Sequence, residues 1–142
     1  MENFEQIVFY SLEKSIKTYR QFAQKQISKK ALDITIDQWL ILTSIQNNTD
    51  ITQQQIAINV FKDYASITRM IELLVKKKFL NRDFHSDDRR RFNLSITRKG
   101  LEILKGLTPI IQANRKQALD GITKKEIKTM QNILNKIINN CK

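Results

Sequence analysis

The dipeptide Ile-Thr recurs at four points, Ile34-Thr35, Ile51-Thr52, Ile96-Thr97 and Ile122-Thr123, and it constrains the fold more than any other feature of the chain. Each Thr is placed to act as a helix N-cap, its hydroxyl accepting from a backbone N–H of the first turn. At three of the four, Gln38, Gln55 or Glu126 stands three residues on, which is the spacing of a capping box. At all four, the preceding Ile and a later apolar residue (Trp39, Ile56, Leu101 or Ile127) have the offset of a hydrophobic staple. Only 3 Gly and 1 Pro occur in 142 residues, so little interrupts the segments these signals start. The chain is therefore predicted to be mainly α.

Periodicity fills in the elements. A first helix is predicted from about Glu2 to Lys30, with Phe4, Ile7, Val8, Leu12, Ile16, Tyr19, Phe22, Ala23 and Ile27 near helical spacing. A second runs from Ile36 to Gln46 and a short third from Gln53 to Asn59. A fourth starts after Asp63, another cap residue, and carries the apolar stripe Ile67, Ile71, Leu74 with Met70 and Val75 at its margins. Its opposite face carries Ala65, Thr68, Arg69, Glu72 and Lys76. The period then changes to two in "FLNRDF" and "RFNLSI", a β-hairpin signature. No Asn-Gly or Asp-Gly turn joins them, which predicts a longer, mobile tip. A fifth helix is expected from Arg98 to Asp120, kinked or restarted at Pro109, and a sixth from Lys124 to Asn139.

The formal net charge is +11, which predicts an anionic partner, nucleic acid before acidic membrane. The charge is concentrated. Between Lys76 and Gly100 stand nine Lys or Arg against three Asp, more than half of the whole excess. One His (His85), one Cys (Cys141, at the chain end), no glycine-rich phosphate loop and no carboxylate cluster outside the hairpin argue against an enzyme, a disulfide framework, a resident cofactor and a metal site. No apolar run approaches a membrane span, and the first residues lack the basic start of a secretory signal, so the expected location is cytoplasmic.

Helix, short helix, helix and hairpin from Thr35 to Ile96 describe a winged helix-turn-helix. A helix fits the DNA major groove, and its N-terminal residues meet base edges. A hairpin beside it reaches the minor groove, whose negative potential favours an inserted arginine. Asp88 precedes Arg90 at a spacing that lets its carboxylate hold the guanidinium. Three adjacent arginines, Arg89 to Arg91, repel one another unless a polyanion neutralises them.

In this order and spacing the motifs resemble the multiple-antibiotic-resistance regulator (MarR) family of bacterial transcription factors. "ITIDQW" resembles the family's Leu-Thr-x-x-Gln-aromatic start and "ITQQQIA" its third helix. "DYASITRMIELLVKKKFLNR" resembles the recognition helix and "DDRRRFNLSITRKG" the wing. The resemblance implies that Arg90, oriented by Asp88 and next to Arg89, enters the minor groove. It implies that Tyr64, Ala65, Ser66, Thr68 and Arg69 face the major groove, with Thr52, Gln53, Lys62 and Arg82 as phosphate contacts. The sequence departs from the family pattern at three places. Lys78 stands where Gly usually follows the recognition helix, so a different turn is expected there. His85-Ser86 replaces Asp-Pro, and Ile34 and Ile96 replace Leu.

The division expected is one domain, 1–142, with a winged region at 32–106 and dimerisation helices at 1–31 and 107–142. The outer helices offer more apolar face than one core absorbs, and a two-fold homodimer buries the same patch twice. Such a dimer reads a pseudo-palindromic operator in double-stranded DNA. Family members usually repress, and many release DNA when a small aromatic or phenolic acid binds between the dimer helices and the winged region. Phe9, Tyr10, Tyr19, Arg20 and Trp39 are the candidates for such a pocket. The alternative is a winged-helix adaptor for protein or RNA, which would show exposed apolar residues near the recognition helix.

Overall fold

The structure is a computed structural model, and it describes residues 3–30, 32–84 and 92–142. The elements run α1 (Phe4–Lys29), α2 (Ile36–Asn47), α3 (Gln53–Asn59), α4 (Tyr64–Lys76), β1 (Leu80–Phe84), β2 (Phe92–Ile96), α5 (Arg98–Ala118) and α6 (Lys124–Asn140). The fold is mainly α with one antiparallel hairpin, a winged helix-turn-helix between outer helices.

The repeated Ile-Thr signals start α2, α3, α5 and α6. Thr35, Thr52, Thr97 and Thr123 each accept from the backbone N–H three residues on. Gln38, Gln55 and Glu126 close capping boxes. At Thr97 the third residue is Gly100, which has no side chain to close one. Ile51 and Ile56 are both in the core, whereas Leu101 and Ile122 are exposed. A further box at Asn3 and Gln6 starts α1 two residues later than the apolar periodicity suggested.

The core is built on α2. Its Ile41, Leu42 and Ile45 pack with Ile27 of α1, Ile56 of α3, Ile67, Ile71 and Leu74 of α4, and Leu104 and Leu107 of α5. Each such side chain stabilises the fold by about 1.5–3 kcal/mol through burial alone. The hairpin register, Leu80 with Ile96 and Arg82 with Leu94, turns Leu80 and Leu94 inward and leaves Asn81, Asp83, Asn93 and Ser95 exposed. The longer tip expected at 85–91 lies outside the described residues.

Two expectations are corrected. Pro109 does not restart the fifth helix, because α5 runs through it. A proline inside a helix costs about 3 kcal/mol. Burial on both sides, Leu104 and Leu107 before it and Asn114 after it, holds the helix together. Asn114 also donates from Nδ2 to the carbonyl of Ala23 at 3.5 Å, tying α5 to α1.

The turn after α4 keeps the left-handed geometry despite lacking glycine: Lys78 has φ 67°. Phe79 N–H donates to Leu74 O and Lys78 N–H to Val75 O, each at 3.0 Å, the paired bonds of a Schellman motif. Together with burial of Leu74 and Phe79, these bonds outweigh the about 1–2 kcal/mol cost of a left-handed non-glycine residue. Lys78→Gly is expected to raise stability by about 0.5–1 kcal/mol, the strain removed less the extra chain entropy of glycine. A thermal melt reads this as a rise of about 1–4 °C; a lower melting temperature would show that the lysine side chain contributes more than its strain.

Candidate nucleic-acid interface

α3, the turn at 60–63 and α4 form the candidate interface, and side-chain bonds set its geometry. Gln53, first residue of α3, donates from Nε2 to Thr68 Oγ1 at 2.6 Å. Thr68 donates its hydroxyl to Tyr64 O at 3.0 Å. Two residues expected to touch DNA thus hold α3 and α4 against each other, above the buried Ile56, Ala57, Ile67 and Ile71.

A second chain of bonds runs along the start of α4. Asp63 Oδ1 accepts from Ser66 N–H and Oδ2 from Ser66 Oγ, both at 2.8 Å. Arg69 then donates to Ser66 Oγ at 3.2 Å. The backbone N–H of Ser66 is the largest cause holding the Asp63 carboxyl below its usual value, followed by the Ser66 hydroxyl, with Arg69 adding a smaller attraction. The folded state therefore favours the carboxylate. Its contribution is present above the unfolded value and is lost as pH falls through the lowered one. The cap thus positions a guanidinium: Tyr64, Ala65 and Arg69 are exposed beside it, and Ser66 and Thr68 are half-buried.

Lys62, expected as a phosphate contact, sits with its Nζ 3.6 Å from Asp37 Oδ2. The other oxygen of Asp37 accepts from Arg20. One carboxylate on the first turn of α2 therefore joins α1 to the turn before α4. Gln24 adds to this joint, accepting from Ile36 N–H at 3.0 Å and donating to Ile34 O at 3.3 Å. Asp37 and Gln24 were not singled out in the sequence. A first-turn acid reads as a partner for the helix dipole, and its cross-chain cations are invisible in one dimension.

The remaining candidates are dispersed. Thr52 caps α3, and Arg82 lies half-buried on β1 opposite Leu94. Asp88, Arg89 and Arg90 lie outside the described residues, on the segment joining the paired ends Phe84 and Phe92. The pocket candidates do not converge. Phe9 and Tyr10 are exposed on α1. Tyr19 lines a cleft with Phe22, Gln117 and Ala118, whereas Arg20 lines another with Gln24, Thr35 and Asp37. Trp39 packs against the core with the Arg115 guanidinium 6.0 Å from its ring centre. Among the described residues no cluster of His, Cys, Asp or Glu is placed to hold a metal, and no helix is long and apolar enough to cross a membrane. Cys141 is exposed.

The profile of the MarR family matches residues 34–92. The uncharacterised HTH-type transcriptional regulator YhbI of Bacillus subtilis is 29% identical over 99 residues, 66% of this chain; the match spans 64% of that relative's length. Two solved structures share the fold over nearly the whole chain. BpsR of Bordetella bronchiseptica, solved in work on regulation of its DNA binding by 6-hydroxynicotinic acid, has a TM-score of 0.85 at 18% identity, covering 96% of each chain. A mutant of Escherichia coli MarR complexed with operator DNA has a TM-score of 0.79 at 24% identity, covering 96% of this chain and 99% of that one. Over residues 34–92, its winged helix-turn-helix region, this chain is similar to the MarR family.

Proposed function

We propose that this protein is a transcriptional regulator that binds duplex DNA as a homodimer, and that it is not an enzyme. The observation that carries the reading is the exposed N-terminal end of α4, where Asp63 and Ser66 hold Arg69 in place beside Tyr64 and Ala65. α4 enters the major groove there. Arg69, Ser66 and Thr68 are the polar groups assigned to base edges, and Thr52, Gln53, Lys62 and Arg82 are the candidates for phosphate contacts. Asp88, Arg89 and Arg90 serve the minor groove. The net charge of +11 favours this partner and makes binding steeply salt-dependent.

The outer helices, 1–31 and 107–142, supply the dimer contact. α6 has no buried residue in the single chain. Val8 and Leu12 of α1 and Met130, Ile133, Leu134 and Ile137 of α6 line one largely apolar cleft. A second copy removes that surface from water, and its two-fold axis imposes a pseudo-palindromic operator. Repression relieved by a small aromatic acid is the regulatory mode we assign. Arg20 is the cation such an acid meets, in competition with Asp37.

Selection of duplex fragments from the source genome at near-physiological salt tests the reading. The expected result is enrichment of inverted repeats with half-sites about one helical turn apart. No enrichment, with no duplex bound even at low salt, overturns it. The adaptor alternative has one observation in its favour, the exposed apolar side chains of Ile58, Phe61 and Tyr64 at and before the start of α4, and the most exposed of them, Phe61, has another explanation.

A further inference from the structure

Phe61 carries two unfavourable features at once. It has φ 60°, a left-handed conformation unfavourable for any residue with a Cβ, and its side chain is 89% exposed. The backbone there is a tight helix stop that glycine would make without strain: Lys62 N–H donates to Ala57 O at 3.0 Å and Phe61 N–H to Ile58 O at 3.3 Å. Neither packing nor backbone geometry accounts for a phenyl ring at this position. Ile58 and Tyr64, three residues either side, are 67% and 56% exposed, so three large apolar side chains stand in solvent within residues 58–64. These bonds offset the strain but leave an exposed phenyl ring in place of glycine unexplained, and a strained, exposed aromatic points to a functional site.

We infer that Phe61, beside Tyr64, contacts a thymine methyl group in the major groove and sets a sequence preference. The inference rests on the DNA-binding reading above. Tyr64 is the first residue of α4, and Phe61 lies in the turn leading into it. The surroundings are cationic and polar: Lys62, Ser66 and Arg69 are the near neighbours in sequence, and Asn59 and Asp63 separate the apolar residues. A protein partner demands a contiguous apolar patch. The major groove instead offers isolated apolar points, the thymine C5-methyls, within a polyanionic surface. Exposed apolar residues interleaved along the chain with Asn59, Lys62 and Asp63 match that pattern.

The test uses Phe61→Gly, which relieves the left-handed strain and so keeps the fold. The probes are the tightest duplex selected from the genome and the same duplex with every thymine replaced by uracil. Uracil keeps base pairing and charge and removes only the methyl. Wild type is expected to bind the uracil duplex about 15-fold more weakly, the value for one buried methyl per protomer at two symmetric half-sites. Phe61→Gly is expected to lose a similar factor on the thymine duplex, to lose little more on the uracil duplex, and to keep the wild-type salt slope. Its melting temperature should rise by a few degrees, which separates lost contact from lost fold. Equal wild-type affinity for the two duplexes overturns the inference, as does Phe61→Gly binding the thymine duplex like wild type, or losing the full factor again on the uracil duplex. A changed salt slope also overturns it, since it places Phe61 behind a phosphate contact. Wild type ignoring every duplex defeats both this inference and the DNA-binding reading, and is distinguishable because it needs no variant.

Discussion

Gly100→Ala lowers stability by about 1–3 kcal/mol, the range for forcing an extra methyl into a packed site. A Cβ at Gly100 would lie closer than 3.0 Å to the Phe79 carbonyl oxygen and 2.7 Å from Ile96 Cγ2. That oxygen has nowhere to retreat, because it also accepts from Thr97 N–H at 3.1 Å. The turn it belongs to is held further by Thr97 Oγ1 donating to Lys78 O at 2.6 Å and by Lys99 Nζ donating to Lys77 O at 3.1 Å. The start of α5 is thus docked on the end of α4, and glycine is what allows the approach. Gly106 is the internal control, since a Cβ there meets nothing within 4 Å. Gly106→Ala should stabilise by about 0.5–1 kcal/mol from helix propensity alone. Urea unfolding measures both, and opposite signs within one helix confirm the steric account. If Gly100→Ala were as stabilising as Gly106→Ala, the close approach would have no energetic weight.

Arg90→Ala weakens binding to the selected duplex by about 1–3 kcal/mol, roughly 5- to 150-fold. The argument is electrostatic. A guanidinium in the minor groove lies near both phosphate rows and releases condensed counterions on binding. The slope of log affinity against log salt should therefore become shallower by about one unit for each arginine removed. Arg69→Ala is expected to act differently, relaxing base preference more than it weakens non-specific binding, because the role proposed for Arg69 is to meet base edges from α4. Fluorescence anisotropy across a salt series separates the two behaviours. Unchanged affinity together with unchanged slope for Arg90→Ala removes the wing from the interface.

Local signals accounted for most of the secondary structure. The Thr caps and their Gln or Glu partners lie within three residues of each other, so the bonds that start α2, α3, α5 and α6 are visible in the order of residues. The buried stripe of α4 follows from helical spacing alone, and the buried residues are Ile67, Ile71 and Leu74. Whether α5 restarts at Pro109 was not legible, because burial of Leu104, Leu107 and Asn114 overrides a local breaker. The candidate site was legible as a set of residue types but not as an arrangement. Nothing in the order of residues shows Gln53 bonded to Thr68, or Phe61 exposed in a left-handed turn.

What sequence alone determined was where helices begin, which stripe of α4 faces inward and where positive charge accumulates, since caps, periodicity and composition act over a few residues. The tertiary structure decided the joints. Asp37 meets Arg20 and Lys62 from two other segments, the start of α5 rests on the Phe79 carbonyl, and Lys78 keeps a left-handed turn without glycine. Each depends on groups distant in the chain or on burial that outweighs a local preference, and such terms exist only once the core around Ile41 and Leu42 has closed.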